Sequence, residues 1–317
     1  MIIVTGALGF IGFNLVKKLN TSNKKDLIIV DYNKKTNPIK LLKFKKFINV
    51  ENFYKDLKKN IPKNTKYIFH QGANSSTTER NKKKIFKQNY YYSLKLINFC
   101  QKNKIKLIYA SSAATYGIKN KKFVENNWKL KPGNYYAQSK YLIDKYVRKV
   151  LKKEGHTQIV GLRYFNVYGP FEFHKKNMGS VMMNFNYQFK KNGIINVFKG
   201  NNGYGNGEQV RDFIHVDDCI DVNMYFFKNN ISGIFNVGTG KKNTFNKVAR
   251  SIFKFHKEKN TKINYIDFPK NLIGKYQSYT KANIDKLRKN GYKKKFIDLE
   301  KGVFKYLKFL NKSQLKK

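Results

Sequence analysis

Tyr136 and Lys140, a tyrosine and a lysine four residues apart, form the pair with the clearest chemical use in the sequence. On a helix this spacing places the phenol and the ammonium on one face, where the cation lowers the phenol pKa and can hold a ribose. The pattern Tyr-x-x-x-Lys occurs five times in a chain with 22 Tyr, so the pattern alone has little weight. Only Tyr136/Lys140 begins a predicted helix that follows a strand ending in Ser111-Ser112. The hydroxyl of a serine at this strand end can bind a reacting oxygen. We therefore predict that Ser112, Tyr136 and Lys140 act together in acid-base chemistry.

The N-terminal segment Thr5-Gly6-Ala7-Leu8-Gly9-Phe10-Ile11-Gly12 places three glycines between a predicted strand and a predicted helix. Gly6 permits a tight turn, Gly9 lets backbone N–H groups approach a pyrophosphate, and Gly12 allows a helix to pack closely on a sheet. The pattern alone is weak evidence. Its place directly after Ile-Ile-Val favours dinucleotide binding over a simple glycine turn.

Asp31 ends the second predicted strand, about twenty residues after the glycines, where a carboxylate would accept the hydroxyls of a ribose. This position favours NAD. Lys34, Lys35 and Lys40 follow closely and could neutralise a 2′-phosphate, which favours NADP. The residues alone therefore leave the choice between NAD and NADP open.

A parallel sheet is the element that would bring these residues together. Short apolar runs, typical of strands, alternate with longer stretches in which apolar residues recur three and four positions apart, as in helices. This alternation predicts an α/β fold with a doubly wound parallel sheet of the Rossmann type. The predicted strands are 2–5, 27–31, 67–72, 106–111 and 159–165, and the predicted helices between them are 11–19, 90–102 and 136–152.

The chain after Gly169-Pro170 is less regular and richer in Gly and Asn, above all over 199–208, which predicts a smaller α/β substrate lobe with long loops. A strand-like segment at 233–238 returns to the first lobe, and helices are predicted over 245–255 and 304–310. Since no Pro-rich linker separates the lobes, we expect them to be interwoven. The predicted dinucleotide-binding domain comprises residues 1–168 with 212–240, and the predicted substrate-binding domain comprises residues 169–211 with 241–317.

The charge of the chain does not by itself reveal a function. The 317 residues include 66 Lys and Arg against 19 Asp and Glu, a formal net charge of +47. Such a charge is typical of proteins that bind nucleic acid or membrane surfaces. However, few of the basic residues are Arg, the side chain suited to specific phosphate and base contacts, and the lysines are scattered in short runs along the whole chain. We interpret the charge as a solvated surface and expect no specific nucleic-acid partner.

Cysteine content and hydropathy indicate the compartment. Cys100 and Cys219 both lie in apolar surroundings, which argues against a disulfide framework or a metal site and fits a reducing cytoplasm. The N-terminus lacks the pattern of a signal segment, and no apolar run reaches the roughly 18 residues of a membrane span. We therefore expect a cytoplasmic protein without a metal and without membrane insertion.

Three further motifs accompany the glycine pattern and the Tyr136/Lys140 pair: YASSAATYG at 109–117, RYFNVYGP at 163–170 and RDFIHVDD at 211–218. Together the five resemble the extended short-chain dehydrogenases that act on nucleotide sugars, the NAD-dependent epimerase/dehydratase family. Within this family the chain is similar to the ADP-heptose 6-epimerases over nearly its whole length. The more specific markers are GANSSTTE at 72–79, His174-Lys175 with Met178 and Ser180, and GKYQSYTKA at 274–282.

The resemblance implies a reaction at an unactivated carbinol. Because the C–H at C6 of the heptose is not acidic, a bound oxidised nicotinamide would take hydride from C6, leave a transient ketone and return the hydride to the opposite face. Tyr136 and Lys175 would be the two acid/base catalysts, while Ser112 would hold the oxygen and Lys140 the ribose and the tyrosinate. The resemblance also implies NADP rather than NAD, ADP-heptose as substrate, a role in the inner core of lipopolysaccharide, and a homo-oligomer, commonly a pentamer.

The resemblance assigns further binding residues by their places in the motifs. The cofactor would be held by Gly6, Gly9, Phe10, Ile11, Gly12, Asp31, Tyr32, Lys40, Gln71, Gly72, Ala73, Asn74, Ser75, Asn89, Lys140, Val167 and Lys175. The ADP-sugar would be held by Ser112, Asn166, Asn177, Asn184, Phe198, Lys199, Gly200, Asn201, Arg211 and Tyr276.

The chain also departs from the family pattern. Phe171 and Phe173 stand where the family usually has Arg and Gly, Phe13 where it has a small polar residue, and Asn184 where it has His. These changes leave the redox residues intact and concern the substrate side.

Three other functions compete with this interpretation. A dehydratase needs acids beside its Ser or Thr to eliminate water, whereas Ala113 and Ala114 follow Ser112. A UDP-hexose 4-epimerase shares the Ser, Tyr and Lys but has no need of a second base such as Lys175. A non-catalytic nucleotide-binding or nucleic-acid-binding protein needs none of these reactive residues, and their retention together argues against it.

Overall fold

A computed structural model describes residues 1–32, 39–118, 120, 122–258, 261–269 and 277–314, without the side chains of 176–178 and 313–314. Its strands are β1 (Ile2–Thr5), β2 (Leu27–Asp31), β3 (Lys46–Asn49), β4 (Tyr67–His70), β5 (Lys106–Ser112), β6 (Ile159–Tyr164), β7 (Asn166–Tyr168), β8 (Ile194–Phe198), β9 (Val210–Arg211), β10 (Phe213–His215), β11 (Gly233–Val237), β12 (Asn243–Thr244) and β13 (Lys262–Ile266). Its α-helices are α1 (Phe10–Thr21), α2 (Val50–Lys55), α3 (Leu57–Asn60), α4 (Lys82–Ile85), α5 (Tyr92–Lys102), α6 (Tyr135–Leu151), α7 (Val181–Asn192), α8 (Val216–Lys228), α9 (Phe245–His256), α10 (Asp285–Lys289) and α11 (Leu299–Gln314).

The central sheet consists of seven parallel strands in the order β11-β6-β5-β4-β1-β2-β3. From β1 the sheet grows toward β3 in one direction and, beginning again at β4, toward β11 in the other. The position between β1 and β4 is therefore a topological switch point, where open α/β sheets bind ligands beyond the carboxyl ends of their strands. Gly6, Asp31, Gln71 and Ser112 all lie at or directly after the carboxyl ends of sheet strands.

Helices cover both faces of this sheet. Ile2 and Val4 of β1 belong to the core cluster that includes residues of α1 and α8, whereas Ile3 between them belongs to the cluster that includes residues of α5 and α6. Strands that are buried on both faces are apolar throughout rather than in alternation. This burial explains why runs such as Ile-Ile-Val form central strands.

A separate core cluster packs around the parallel pair β8 and β13. It includes the fully buried side chains of Met182 on α7, Ile252 on α9, and Tyr306 and Leu307 on α11. Two of these helices contribute to the lining of the cavity described below, α7 through Val181 and α9 through Phe245.

Asp212, a buried aspartate between β9 and β10, ties this second group of elements to the sheet. Its carboxylate accepts hydrogen bonds from the backbone N–H groups of Thr239, Gly240 and Ala282 and from the Thr239 hydroxyl, at 2.7 to 3.0 Å. Removal of such an acceptor would leave several buried donors without a partner, which is costly. The carboxylate therefore fixes the backbone beside Arg211.

The structure confirms the predicted doubly wound α/β fold, and it differs from the sequence prediction in detail. The helix predicted from residue 90 begins as α5 at Tyr92 and follows a π-helical segment, Phe86–Tyr91. The stretch after residue 170, predicted to be irregular, contains α7 and β8. The prediction missed α7 because Asn and Lys, including the buried Asn186, stand among its apolar positions and obscure their spacing. Within the described residues, no helix is both long and apolar enough to cross a bilayer.

Candidate active site

A cavity of about 990 Å³ opens at the carboxyl edge of the sheet, around the switch point. It brings together most of the predicted site residues from both halves of the chain. Those that line it are Gly6, Gly9, Phe10, Ile11, Gly12, Asp31, Tyr32, Gln71, Gly72, Ala73, Asn74, Ser75, Ser112, Tyr136, Lys140, Asn166, Val167, Lys175 and Arg211.

The glycine loop between β1 and α1 forms one wall of the cavity. Gly6 has a φ of +67°, and a β-carbon there would lie 2.5 Å from backbone atoms of Gly72. A β-carbon at Gly12 would lie 2.0 Å from the carbonyl oxygen of Gly6, so both positions exclude larger residues. No side chain of the described residues caps the N-terminus of α1. The N–H groups of its first turn are therefore available to an anion such as a pyrophosphate.

Asp31 lies at the neighbouring strand end with its carboxylate turned toward this loop. It accepts hydrogen bonds from the N–H groups of Leu8 at 2.7 Å and Tyr32 at 2.8 Å. Burial raises the pKa of Asp31, and these backbone N–H groups oppose that shift. The Tyr32 hydroxyl accepts a hydrogen bond from Gln88 at 2.9 Å. Asp31 and Tyr32 thus form a polar corner suited to a ribose.

Asn89 was predicted to contact the cofactor, but the structure places it behind the cavity wall. The buried side chain accepts a hydrogen bond from the Asn74 N–H at 2.7 Å and donates to the Asn74 carbonyl at 3.0 Å. It also donates to the Ser139 hydroxyl at 3.1 Å. Asn89 therefore shapes the loop at Asn74 and joins it to α6, without lining the cavity.

Ser112, Tyr136 and Lys140 meet on the floor of the cavity. Asn134 caps α6 by accepting a hydrogen bond from the Ala137 N–H at 2.8 Å, which fixes where the helix begins. Burial raises the pKa of Tyr136, and a hydrogen bond with the Ser112 hydroxyl lowers it. This contact places the two groups that would share a substrate oxygen beside each other.

Lys140 lies one helical turn beyond Tyr136 and is almost fully buried. Its Nζ donates a hydrogen bond of 2.7 Å to the carbonyl oxygen of Ala110 on β5. Burial lowers the pKa of Lys140 to about 8, although Asp144 opposes this shift. A group with this pKa is still mostly protonated near neutral pH, so the amine can act as a fixed cation.

A buried charge network lies one further turn along α6. Asp144 is fully buried and accepts hydrogen bonds from the Tyr109 hydroxyl (2.9 Å), the Ser111 hydroxyl (2.9 Å) and Arg163 Nε (2.7 Å). These bonds join α6 to β5 and β6 and so fix the helix that carries Lys140. The sequence analysis missed this network, whose available signal was the four-residue step from Lys140 to an acidic residue on a buried face.

The loop after β7 carries Lys175 to the lining of the same cavity. Its Nζ lies 4.3 Å from the centroid of the Phe10 ring. Burial lowers the pKa of Lys175, and the charge of Glu172 raises it. The buried Glu172 carboxylate accepts hydrogen bonds from the N–H (2.8 Å) and the hydroxyl (2.6 Å) of Ser180, which closes the base of the loop. Lys175 and Tyr136 thus belong to one cavity although they lie on separate elements.

His174 also lines the cavity, a position that the sequence analysis did not assign. Burial, together with the charge of Lys175, lowers the pKa of His174. Its Nδ1 is buried and lacks a hydrogen-bond partner within the described residues. An unpaired polar atom of this kind fits a site that receives a polar ligand.

Asn166 on β7 and Arg211 on β9 line the cavity from strands outside the seven-stranded sheet. Asn166 accepts a hydrogen bond from the Thr280 hydroxyl at 3.2 Å. Arg211 donates to the carbonyl oxygen of Val210, and its guanidinium lies 5.6 Å from the centroid of the Phe245 ring. A guanidinium in this position can bind a diphosphate.

Other predicted binding residues are not brought to the cavity. Lys40 is exposed on a short turn, Asn184 donates to the Gly179 carbonyl, and Lys199 pairs with Asp267 at 2.7 Å. Their proposed contacts stay predictions, as do those of Phe198, Gly200 and Asn201. The side chain of Asn177 and the whole of Lys34, Lys35 and Tyr276 lie outside the described residues.

The cavity also contains residues that no motif had indicated. Lys84 on α4 and Gln88 in the π-helical segment line the cavity one turn apart, a spacing that was visible in the sequence, and Gln88 donates to the Tyr32 hydroxyl. No group of three or more His, Cys, Asp or Glu side chains suited to a metal occurs in the part of the chain that the structure describes. The remaining lining residues without a prior assignment are Thr5, Val50, Tyr54, Thr77, Tyr92, Ala110, Ser111, Tyr164, Phe165, Gly179, Ser180, Val181, Phe213 and Phe245.

Comparisons with known proteins agree with this geometry. The chain is 44% identical to an ADP-L-glycero-D-manno-heptose-6-epimerase of Brachyspira hyodysenteriae, over 99% of this chain and 98% of that protein. The crystal structure of the Helicobacter pylori ADP-L-glycero-D-manno-heptose-6-epimerase matches with a TM-score of 0.83 and 29% identity, over 98% of this chain and 96% of that one. A UDP-N-acetylglucosamine 4-epimerase of Methanobrevibacter ruminantium matches with a TM-score of 0.84 and 26% identity, over 98% of both chains.

The sequence profile of the NAD dependent epimerase/dehydratase family matches residues 2–238, which include the glycine loop, Ser112, Tyr136, Lys140 and Lys175. This range covers most of the chain, and the relative from Brachyspira extends the similarity to nearly all of it. The protein belongs to the NAD dependent epimerase/dehydratase family.

Proposed function

We propose that this protein is an ADP-L-glycero-D-manno-heptose 6-epimerase, which inverts C6 of ADP-D-glycero-β-D-manno-heptose to give the L-glycero epimer. The observation that carries the proposal is the meeting of Tyr136 and Lys175, from separate elements, in one cavity with Ser112 and Lys140. Two acid-base groups fit a reaction in which the ketone must be handled in two orientations. The relatives from Brachyspira and Helicobacter support the same substrate.

A nicotinamide dinucleotide fits the cavity. The glycine loop and the uncapped start of α1 would hold its pyrophosphate, Asp31 its adenosine ribose, and Lys140 its nicotinamide ribose. When bound, a nicotinamide dinucleotide would supply the reversible hydride transfer by which C6 is oxidised to a ketone and then reduced on its opposite face. We propose NADP as the preferred cofactor, on the similarity to ADP-heptose 6-epimerases.

Tyr136 and Lys175 would each handle the proton of the C6 oxygen in one orientation. One of them accepts the hydroxyl proton as C6 is oxidised, and the other donates a proton to the same oxygen after the ketone has turned. The two residues thereby exchange protonation states, which solvent restores, and no electrons are consumed overall. Ser112 would donate a hydrogen bond to the keto oxygen, and the Lys140 cation would stabilise the Tyr136 phenolate.

The substrate side completes the proposal. Arg211 would contact the ADP-sugar from the smaller lobe, which we assign to residues 169–211 with 241–317. Asn166 would contact it from the end of the dinucleotide-binding domain, which we assign to residues 1–168 with 212–240. By similarity we also propose a homo-oligomer, commonly a pentamer, that works in the cytoplasm and supplies the inner core of lipopolysaccharide.

The test is to incubate the purified protein with ADP-D-glycero-β-D-manno-heptose and to follow the sugar by NMR and the cofactor by absorbance. We expect the L-glycero epimer to accumulate without net cofactor reduction. Conversion of UDP-galactose to UDP-glucose, with the heptose unchanged, would instead assign the alternative, a UDP-hexose 4-epimerase.

Two variants identify the residue that carries the second acid-base step. Lys175→Met should epimerise poorly while still binding cofactor, because the amine is lost from the cavity. Lys145→Met, which removes an exposed lysine of α6, should behave as wild type. Loss of cofactor from Lys175→Met would show that Lys175 serves binding instead.

A further inference from the structure

Four phenylalanine rings meet where α1, the loop after β7 and α11 come together. The ring centroids of Phe13 and Phe171 are 4.6 Å apart, those of Phe171 and Phe309 4.9 Å, and those of Phe173 and Phe309 5.9 Å. Aromatic pairs at such separations attract each other beyond the effect of buried area. We refer to Phe13, Phe171, Phe173 and Phe309 as the phenylalanine cluster.

Phe13 is more than a hundred residues away from Phe171 and Phe173 in the sequence. The structure nevertheless joins the rings in series, from Phe13 to Phe171, from Phe171 to Phe309 and from Phe309 to Phe173. The cluster therefore connects α1, the loop after β7 and α11.

Further contacts fasten the beginning of the loop to α1. The Asn14 side chain donates from Nδ2 to the carbonyl oxygens of Phe10 and Pro170, both at 2.9 Å. The Lys17 ammonium lies 4.4 Å from the centroid of the Phe171 ring. One face of α1 therefore holds the loop through a hydrogen bond, a cation–π contact and a ring contact.

Phe171 has an unusual backbone conformation that depends on this packing. Its φ is +70°, a left-handed conformation that is costly for a residue with a β-carbon. Its ring is nevertheless buried between Phe13 and Phe309. Packing of the ring thus maintains a strained turn four residues before Lys175.

The same arrangement determines where Lys175 lies. Its ammonium is 4.3 Å from the ring of Phe10, which is close to Phe13 on α1. Glu172 closes the other end of the loop through its bonds to Ser180. The loop that carries Lys175 is therefore fixed at both ends, and the Lys175 amine packs against α1.

We propose that the phenylalanine cluster is a positioning element, which fixes the loop on α1 and α11 and thereby holds the Lys175 amine at the reacting oxygen. The inference rests on the proposed role of Lys175 as the second acid-base group. Among the described residues that line the cavity, none belongs to the cluster, so its rings act through Lys175 and not on the substrate.

Phe309→Leu tests this role, with Phe304→Leu as the matched control. Both residues are half-buried phenylalanines of α11, but Phe304 packs on Phe255 of α9, with ring centroids 5.5 Å apart. We expect Phe309→Leu to lower kcat about tenfold, since small displacements of a reacting group are costly, with KM and bound cofactor unchanged. Phe309→Tyr, which keeps the ring, should restore kcat. An equal loss of kcat in Phe304→Leu would overturn the proposal.

A double variant separates positioning of Lys175 from a general structural effect. In the Lys175→Met background, Phe309→Leu should change the residual kcat by less than about twofold, because the group it positions is already absent. A full additional loss of about tenfold would mean that the cluster acts elsewhere, and the proposal would be wrong.

Site-resolved acetylation provides a readout that needs no substrate. Mass spectrometry of acetylated peptides should show Lys175 reacting at least about threefold faster in Phe309→Leu than in wild type, since the loop loses its anchor, with no change in Phe304→Leu. Equal labelling of Lys175 in wild type and Phe309→Leu would contradict the positioning role. If labelling changes as expected but wild type does not epimerise ADP-heptose, the cluster still positions Lys175, whereas the proposed function and the place of Lys175 at a reacting oxygen both fail.

Discussion

The hydroxyl of Tyr136 is the atom whose removal should cost the most turnover. Tyr136→Phe keeps the ring and the start of α6 but removes the group that hydrogen bonds with Ser112. We expect kcat to fall at least about 100-fold, a typical acid-base contribution, with cofactor still bound. Tyr141→Phe is the matched control, because the Tyr141 hydroxyl donates to the Trp128 carbonyl away from the cavity. Near-normal turnover of Tyr136→Phe would remove this residue from the mechanism.

Residues with local signals were the ones that could be predicted from the sequence. The Tyr-x-x-x-Lys step and the strand end at Ser112 indicated a site that the cavity indeed brings together. The four-residue step from Lys140 to Asp144 was visible in the sequence, but the partner Arg163 on another strand and the complete burial of the carboxylate were not. Nothing in the sequence showed that Glu172 is buried as well. Contact with a cavity is likewise a property of the folded chain, which is why Asn89 lies behind the wall and not on it.

At the scale of elements, the junction of β1 and α1 makes the sharpest prediction. A β-carbon at Gly9 would approach the Gly6 carbonyl oxygen to 3.2 Å, a contact that a small shift relieves. Gly9→Ala should therefore fold with a nearly unchanged Tm. We expect its affinity for NADP to fall at least about tenfold, since the added methyl group stands where a pyrophosphate approaches α1.

Gly205→Ala is the control for this prediction. A β-carbon at Gly205 meets its nearest neighbour, Glu208, at an ordinary distance of 3.6 Å, so affinity and Tm should both stay at wild-type values. The measurement is isothermal titration of cofactor-free protein with NADP, beside a thermal melt. Wild-type affinity in Gly9→Ala would contradict the assignment of this loop to the pyrophosphate.

The helices and strands that are most deeply buried are the ones whose bounds were predicted best. β1 and β2 have the predicted bounds because each is an apolar run that ends in a polar residue, Thr5 or Asp31, and each is paired with a strand on both sides. The π-helical form of Phe86–Tyr91 was not predicted from the sequence. The segment continues the apolar spacing of α5, and a π-helix differs from an α-helix only in its hydrogen-bond pattern, which apolar spacing does not reveal. The prediction of 304–310 for α11 is too short, because the lysines among the apolar positions of Leu299–Gln314 obscure their helical spacing.

The charge of the whole molecule predicts its response to salt. With 66 Lys and Arg against 19 Asp and Glu, repulsion between like charges outweighs the ion pairs that hold the surface. Raising the KCl concentration from about 0.01 M to about 0.15 M shortens the screening length from about 30 Å to about 8 Å. We expect Tm to rise by roughly 2–4 °C, in a thermal melt without phosphate or nucleotide. A falling Tm would show that attractive ion pairs dominate the surface.

As proposed, the protein inverts one carbon of its substrate by a hydride transfer away from C6 and back to C6 within one cavity. The most direct test is turnover of ADP-D-glycero-β-D-manno-heptose that carries deuterium at C6, in ordinary water, with the product read by NMR. Retention of deuterium at C6 of the L-glycero product is the predicted result, because the hydride returns to the carbon that it left. Replacement of that deuterium by solvent hydrogen would contradict the internal hydride transfer and, with it, the proposed roles of Tyr136 and Lys175.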